Sequence, residues 1–124
     1  MSRPIFLNLF QIRFPVTAIV SILHRITGVL AFLALPFVLW TWQQSLLSQA
    51  SWNKLAFVLH NNILAKLSAS ALLIAVIYHV IAGVRHVIMD CHIGDSYCAA
   101  RCSAWLTLGL TVLLSAWFVG CLWL

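Results

Sequence analysis

Three long apolar runs constrain this chain more than anything else in it. They cover residues 16–42, 60–88 and 102–124 and leave only short polar connections between them. A run of about 20 apolar residues crosses a bilayer as an α-helix. Inside lipid every backbone N–H and C=O must be paired within the segment, so a chain of this pattern has few alternatives to a helix bundle. The composition agrees: 64% of the 124 residues are hydrophobic and 7% are charged, against roughly a quarter charged in soluble domains. The expected fold is all-α: an integral membrane protein with three transmembrane helices and a short N-terminal cytoplasmic segment. Residues 1–124 read as a single membrane-anchor domain.

Punctuation along the chain is consistent with that layout. Pro4 and Pro15 interrupt residues 1–15, and Pro15 suits the first turn of the first span, where its missing N–H costs nothing. The alternation of Ile5, Leu7 and Leu9 would lie along the membrane surface or against a partner. Pro36 falls inside the first span and is expected to kink it. Trp40 and Trp42 mark the far interface. The polar stretch that follows ends the span, and residues 43–57 read as a short interfacial segment around Trp52. Gly94-Asp95 is the turn signal in the connection 91–101. In the third span, Gly109 and Gly120 would permit close helix approach.

The net charge of +5 arises from seven scattered basic residues set against only two acids, Asp90 and Asp95. No basic cluster points to nucleic acid. The charges are better read as setting orientation. Arg3, Arg13, Arg85 and Arg101 fall on one side and Lys54 and Lys66 on the other. The N-terminus and the 91–101 connection are therefore expected in the cytoplasm and the C-terminus on the opposite side. The first apolar run is too long for a signal peptide. With no Arg- and Ser-rich transit segment either, a bacterial inner membrane is the expected location.

Two blocks of polar residues stand inside the spans, where ionisable groups mark function by default. The first is Ser21-Ile22-Leu23-His24-Arg25. Ser21 and Arg25 share a helical face, and a hydroxyl beside a cation suits an oxygen that becomes negative on reduction, as in a quinone. Arg25 or His24 would equally pair with haem propionates. An arginine that snorkels to the headgroups would look the same. The second block is Tyr78–Asp90. His79, Gly83 and His86 fall on one face, but the two histidines are separated by about 10 Å along a helix axis. One helix cannot supply both axial ligands of one iron, so the second would come from His24, the other intramembrane histidine of this chain, or from another subunit. His79 lies deeper, and Gly83 one turn on clears space for a flat ring; a hydrogen-bonded helix contact is the plainer alternative for the same histidine. With opposite chain directions the two blocks come to similar depth.

Cys91, Cys98, Cys102 and Cys121 match neither zinc nor haem-attachment spacing. Cys121 reads as a small apolar residue.

These blocks, RFPVTAIVSILHRITGV (Arg13–Val29) and YHVIAGVRHVIMD (Tyr78–Asp90), together with the leading Arg3-Pro4, resemble the cytochrome b556 membrane-anchor subunits of bacterial succinate:quinone oxidoreductase, respiratory complex II. The resemblance covers nearly the whole chain. It implies a second three-helix anchor subunit, with one haem b held between the two, and an iron–sulfur subunit and a flavoprotein docked on the cytoplasmic face. It implies His79 as the axial haem ligand, the opposite ligand coming from the partner anchor. Ser21 and Arg25 would be ubiquinone-site residues, with His24 and Arg25 near the haem propionates. His86 and the cysteines of the 91–102 connection receive no role. The implied activity is transfer of electrons from iron–sulfur clusters to membrane quinone. Succinate is oxidised elsewhere, in the flavoprotein. A fumarate reductase anchor runs the same chemistry backwards, and a haem-free structural anchor is the alternative of a different class.

Overall fold

The computed structural model describes residues 14–124. The expected contributions of Arg3, Pro4, Ile5, Leu7, Leu9 and Arg13 lie outside the described residues. Four α-helices follow one another: α1 (Val16–Leu47), α2 (Gln49–Asn61), α3 (Ile63–Asp90) and α4 (Tyr97–Trp123). Among the described residues there is no strand. Helices α1, α3 and α4 are each long and apolar enough to cross a membrane, as the three apolar runs require. At 32, 28 and 27 residues they exceed the roughly 20 needed to span the hydrocarbon, so each carries turns that reach the interfaces.

The boundaries follow from capping. Pro15 sits just before α1 in an extended conformation, one residue earlier than the first-turn position its chemistry suits; its carbonyl accepts from the N–H groups of Ala18 and Ile19. The helix continues through Pro36 to Leu47, further than the polar residues after Trp42 suggest. Ser48 then breaks the chain in an extended conformation, and its hydroxyl accepts the N–H of Ser51 to start α2. The interfacial segment around Trp52 is thus a true helix over 49–61. Asn62 repeats the device, its side-chain oxygen accepting from Leu64 and Ala65 at 2.9 and 3.2 Å. At the other end His92 and Gly94 adopt positive φ of 58° and 71°, which turns the chain tightly after α3. Ser96 caps α4 through Ala99 N–H, so α4 begins at Tyr97, five residues before the apolar run at Cys102.

Helix α3 packs against both α1 and α4, and α1 also touches α4. The core is small: Val20, Tyr78, Ala82 and Ala104, flanked by Val16 and Leu108. Among the described residues Val20 is the one large side chain fully buried. The Tyr78 hydroxyl donates to the Val20 carbonyl oxygen at 2.8 Å, joining α3 to α1 inside this core. Helix α4 buries a stripe of small residues, Ala100, Ala104, Thr107, Thr111 and Ser115. The hydroxyls of Thr107 and Thr111 are satisfied by backbone carbonyls one turn earlier, so they pack as small, dry surfaces. Gly109 and Gly120 lie off this stripe, and a Cβ at either would meet nothing within 4 Å. The close approach expected of them does not occur among the described residues. It occurs instead at Gly28 and Gly83, between α1 and α3.

At the end of the bundle opposite the 91–96 turn, Trp123 Nε1–H donates to Ser70 Oγ at 3.0 Å, and the Lys66 ammonium lies 5.3 Å from the Trp123 ring centre. This cation–π contact lets Lys66 sit at a membrane interface without an acid beside it.

Candidate functional site

The two polar blocks meet. Helices α1 and α3 run in opposite directions, and this brings His24 of α1 against His79 of α3. Their imidazole rings stack with centroids 4.3 Å apart and planes 8° from parallel. His86, two turns further along α3, lies on the other side of His24, with centroids 4.9 Å apart and a 44° tilt. The spacing of His79 and His86 leaves a gap on the α3 face, and the His24 ring enters it.

Glycine makes that possible at two points. A Cβ at Gly83 would lie 3.3 Å from His24 Nε2, and one at Gly28 would lie 2.9 Å from His79 Cε1. Each histidine therefore occupies space that a glycine on the opposite helix leaves open. At Gly83 the flat ring accommodated within this chain is the imidazole of His24.

The polar atoms of His79 are ordered by α1. Its Nδ1 lies 3.1 Å from the His24 carbonyl oxygen and 3.5 Å from Thr27 Oγ1. A carbonyl can only accept, so Nδ1 carries the proton, and in the neutral imidazole Nε2 then holds the lone pair. The Thr27 hydroxyl in turn donates back to the carbonyls of Leu23 and His24 at 2.8 and 3.0 Å. An N–H fixed on a carbonyl, with the other nitrogen left basic, is the usual preparation of a metal-binding imidazole. The residues present thus fit a haem-iron ligand at His79. Thr27 and Gly28 belong to the block that carries the resemblance but receive no role from sequence. The signal was available in the Thr-Gly pair directly after the first block, since a glycine inside a helix costs about 1 kcal/mol against alanine and calls for a packing reason.

Ser21 is half-buried and Arg25 exposed on α1, Ser21 about one turn before His24 and Arg25 the residue directly after it. His86 is half-buried, and its Nε2 is a buried atom without a hydrogen-bond partner among the described residues. Arg85 turns away from the cluster toward α4. It is 7% exposed, with Nε donating to Ser103 Oγ at 3.0 Å and Nη2 to the Ala100 carbonyl at 3.1 Å. All four cysteines are exposed and unpaired. Nearby, His92 Nδ1 and Asp95 lie 3.7 Å apart, both largely solvent-accessible, a contact that contributes little.

Fold and site together define a multi-pass helical membrane protein that draws histidines from two spans into one cluster. The chain belongs to the family of transmembrane subunits of succinate dehydrogenase and fumarate reductase, whose family model matches residues 1–118. Among curated proteins it is similar to the succinate dehydrogenase cytochrome b556 subunit of Coxiella burnetii, at 36% identity over 84% of this chain and 83% of that protein. It is also similar to the subunit of the same name from Rickettsia felis, at 32% identity over 92% of this chain and 88% of that one.

Proposed function

We propose that this chain is a membrane-anchor cytochrome b subunit of succinate dehydrogenase, sharing haem b with a second anchor subunit and helping to reduce ubiquinone. The observation that carries the reading is the state of His79: its Nδ1 is committed to the His24 carbonyl, which leaves Nε2 as a preformed donor. The name cytochrome b556 borne by both relatives supports a b-type haem, and the succinate dehydrogenase name favours that direction over fumarate reduction.

Haem b, when bound, supplies a one-electron redox centre. The chain's own residues do the rest. His79 Nε2 would hold the haem iron, and a second ligand would come from the partner anchor, because His86 is about 10 Å further along the same helix and the His24 ring stacks flat on that of His79. His24 and Arg25 would pair with the propionates, and Gly83 gives the His24 ring its room. Quinone reduction takes up two electrons and two protons, and charge builds on the quinone oxygens as the electrons arrive. Arg25 offsets that charge and the Ser21 hydroxyl donates a hydrogen bond to the same oxygen. The electrons come from succinate, oxidised in the flavoprotein subunit and relayed through the iron–sulfur subunit. The location is a bacterial inner membrane, with the N-terminus cytoplasmic and the C-terminus periplasmic.

The test is a reduced-minus-oxidised optical spectrum of the purified complex. Wild type shows b-type bands, His79→Ala loses most of them, and His86→Ala keeps them. Bands that survive His79→Ala and vanish in His86→Ala would transfer the ligand role to His86. Bands missing from wild type would reject the haem.

A further inference from the structure

Arg85 poses a problem of charge. It is 93% buried in a membrane-spanning helix, and both of its hydrogen bonds go to neutral acceptors, Ser103 Oγ and the Ala100 carbonyl. A guanidinium stays protonated in any protein setting. The chain has only two acids with which to balance it. Asp95 is exposed beside His92, and Asp90 is exposed, five residues along the same helix. Five residues place it on a different face, with no salt bridge to Arg85. A buried cation of this kind is costly until an anion joins it.

Arg85 lines a cleft of about 360 Å³ between α3 and α4. The cleft is polarised along its length. Its outer end is formed by Ile93 and Gly94 of the turn between the helices, Arg85 and Ser103 come next, and Ile81 and Leu110 line the inner end. From Arg85 the apolar walls continue inward for about 6 Å along α3 to Ile81 and about 10 Å along α4 from Ser103 to Leu110. The positive end of α4 adds to the field near Arg85, because the first N–H groups of that helix lie there. The hydroxyl and backbone partners take two of the five guanidinium N–H groups, so donors remain.

We infer that this cleft binds one anionic phospholipid, with the phosphate on Arg85 and an acyl chain along Ile81, Val84, Leu106 and Leu110. A neutral isoprenoid such as a quinone fits the apolar walls but leaves the charge of Arg85 unbalanced, so the anionic amphiphile is favoured. The site is separate from the histidine cluster, since Arg85 faces α4 while His79 and His86 face α1.

The experiment measures lipid retained by the purified complex in nanodiscs of phosphatidylcholine containing a minor fraction of phosphatidylglycerol. Wild type retains phosphatidylglycerol over phosphatidylcholine after delipidation, read by native mass spectrometry. Arg85→Met lowers that preference about tenfold, the worth of one charge-assisted hydrogen bond. Because Arg85→Met also removes the ties to α4, a second variant leaves them intact: Leu110→Trp fills the inner cleft and abolishes retention while the complex stays assembled. Equal retention of the two lipids by wild type, as when a helix of a partner subunit occupies the cleft, overturns the proposal. So does undiminished retention in Leu110→Trp.

Discussion

Gly28 gives the His79 ring its room. A methyl group there would stand 2.9 Å from Cε1 and 3.3 Å from Nδ1, and the ring cannot retreat without leaving the His24 carbonyl. Gly28→Ala gains about 1 kcal/mol in helix propensity but overpacks a fixed ring at about 1–3 kcal/mol, so loss prevails. The expected outcome is a haem-to-protein ratio well below wild type in the purified complex. Gly83→Ala, meeting His24 Nε2 at 3.3 Å, has the milder effect. A Gly28→Ala complex with full haem content would count against His79 as ligand. For the quinone, Arg25→Ala is expected to lower quinone reductase turnover by about 10²–10³ and Ser21→Ala by less. Succinate oxidation with a soluble artificial acceptor should stay at wild-type level in both variants, since that route bypasses α1.

At the scale of elements, the caps decide where helices begin. Asn62 alone satisfies two N–H groups of α3, so Asn62→Ala is expected to cost about 1–2 kcal/mol. The loss should show as faster amide exchange confined to the first turn of α3. The spans themselves were legible from apolar run length, because lipid leaves a long apolar segment no other pairing than helix. The meeting of the two blocks was legible too, since depth is counted in residues. What sequence does not carry is how rings nest across a helix pair. That His24 would fill the gap between His79 and His86 depends on rotation of α1 about its own axis, which no single-helix pattern encodes. The early start of α4 and the helical form of 49–61 were missed for a simpler reason. Apolar run length says nothing about polar turns held by a serine cap, and Ser48 and Ser96 each add such turns. Gly109 and Gly120 misled because a glycine marks possible approach, and only the neighbour's position makes it actual.

For the whole molecule the prediction concerns sidedness. Cys91, Cys98 and Cys102 stand exposed at the turn between α3 and α4. In a Cys121→Ser background, a membrane-impermeant maleimide is expected to label them in inverted vesicles and to leave them unlabelled in intact spheroplasts. The reverse pattern would invert the orientation. The measurement is independent of haem and quinone, so it tests the placement of the chain separately from its chemistry.

The joints between helices are unequal. A single residue, Ser48, separates α1 from α2, and a single residue, Asn62, separates α2 from α3, whereas residues 91–96 lie between α3 and α4. Helices answer a change in bilayer thickness mainly by tilting. With one-residue corners, α1, α2 and α3 have no slack and must tilt as a linked frame. The give in the chain is confined to the longer turn. The 91–96 turn is thus where chain length lets α4 adjust its tilt, against the ties of Arg85 to Ser103 and Ala100 and of Trp123 to Ser70 that hold it to α3.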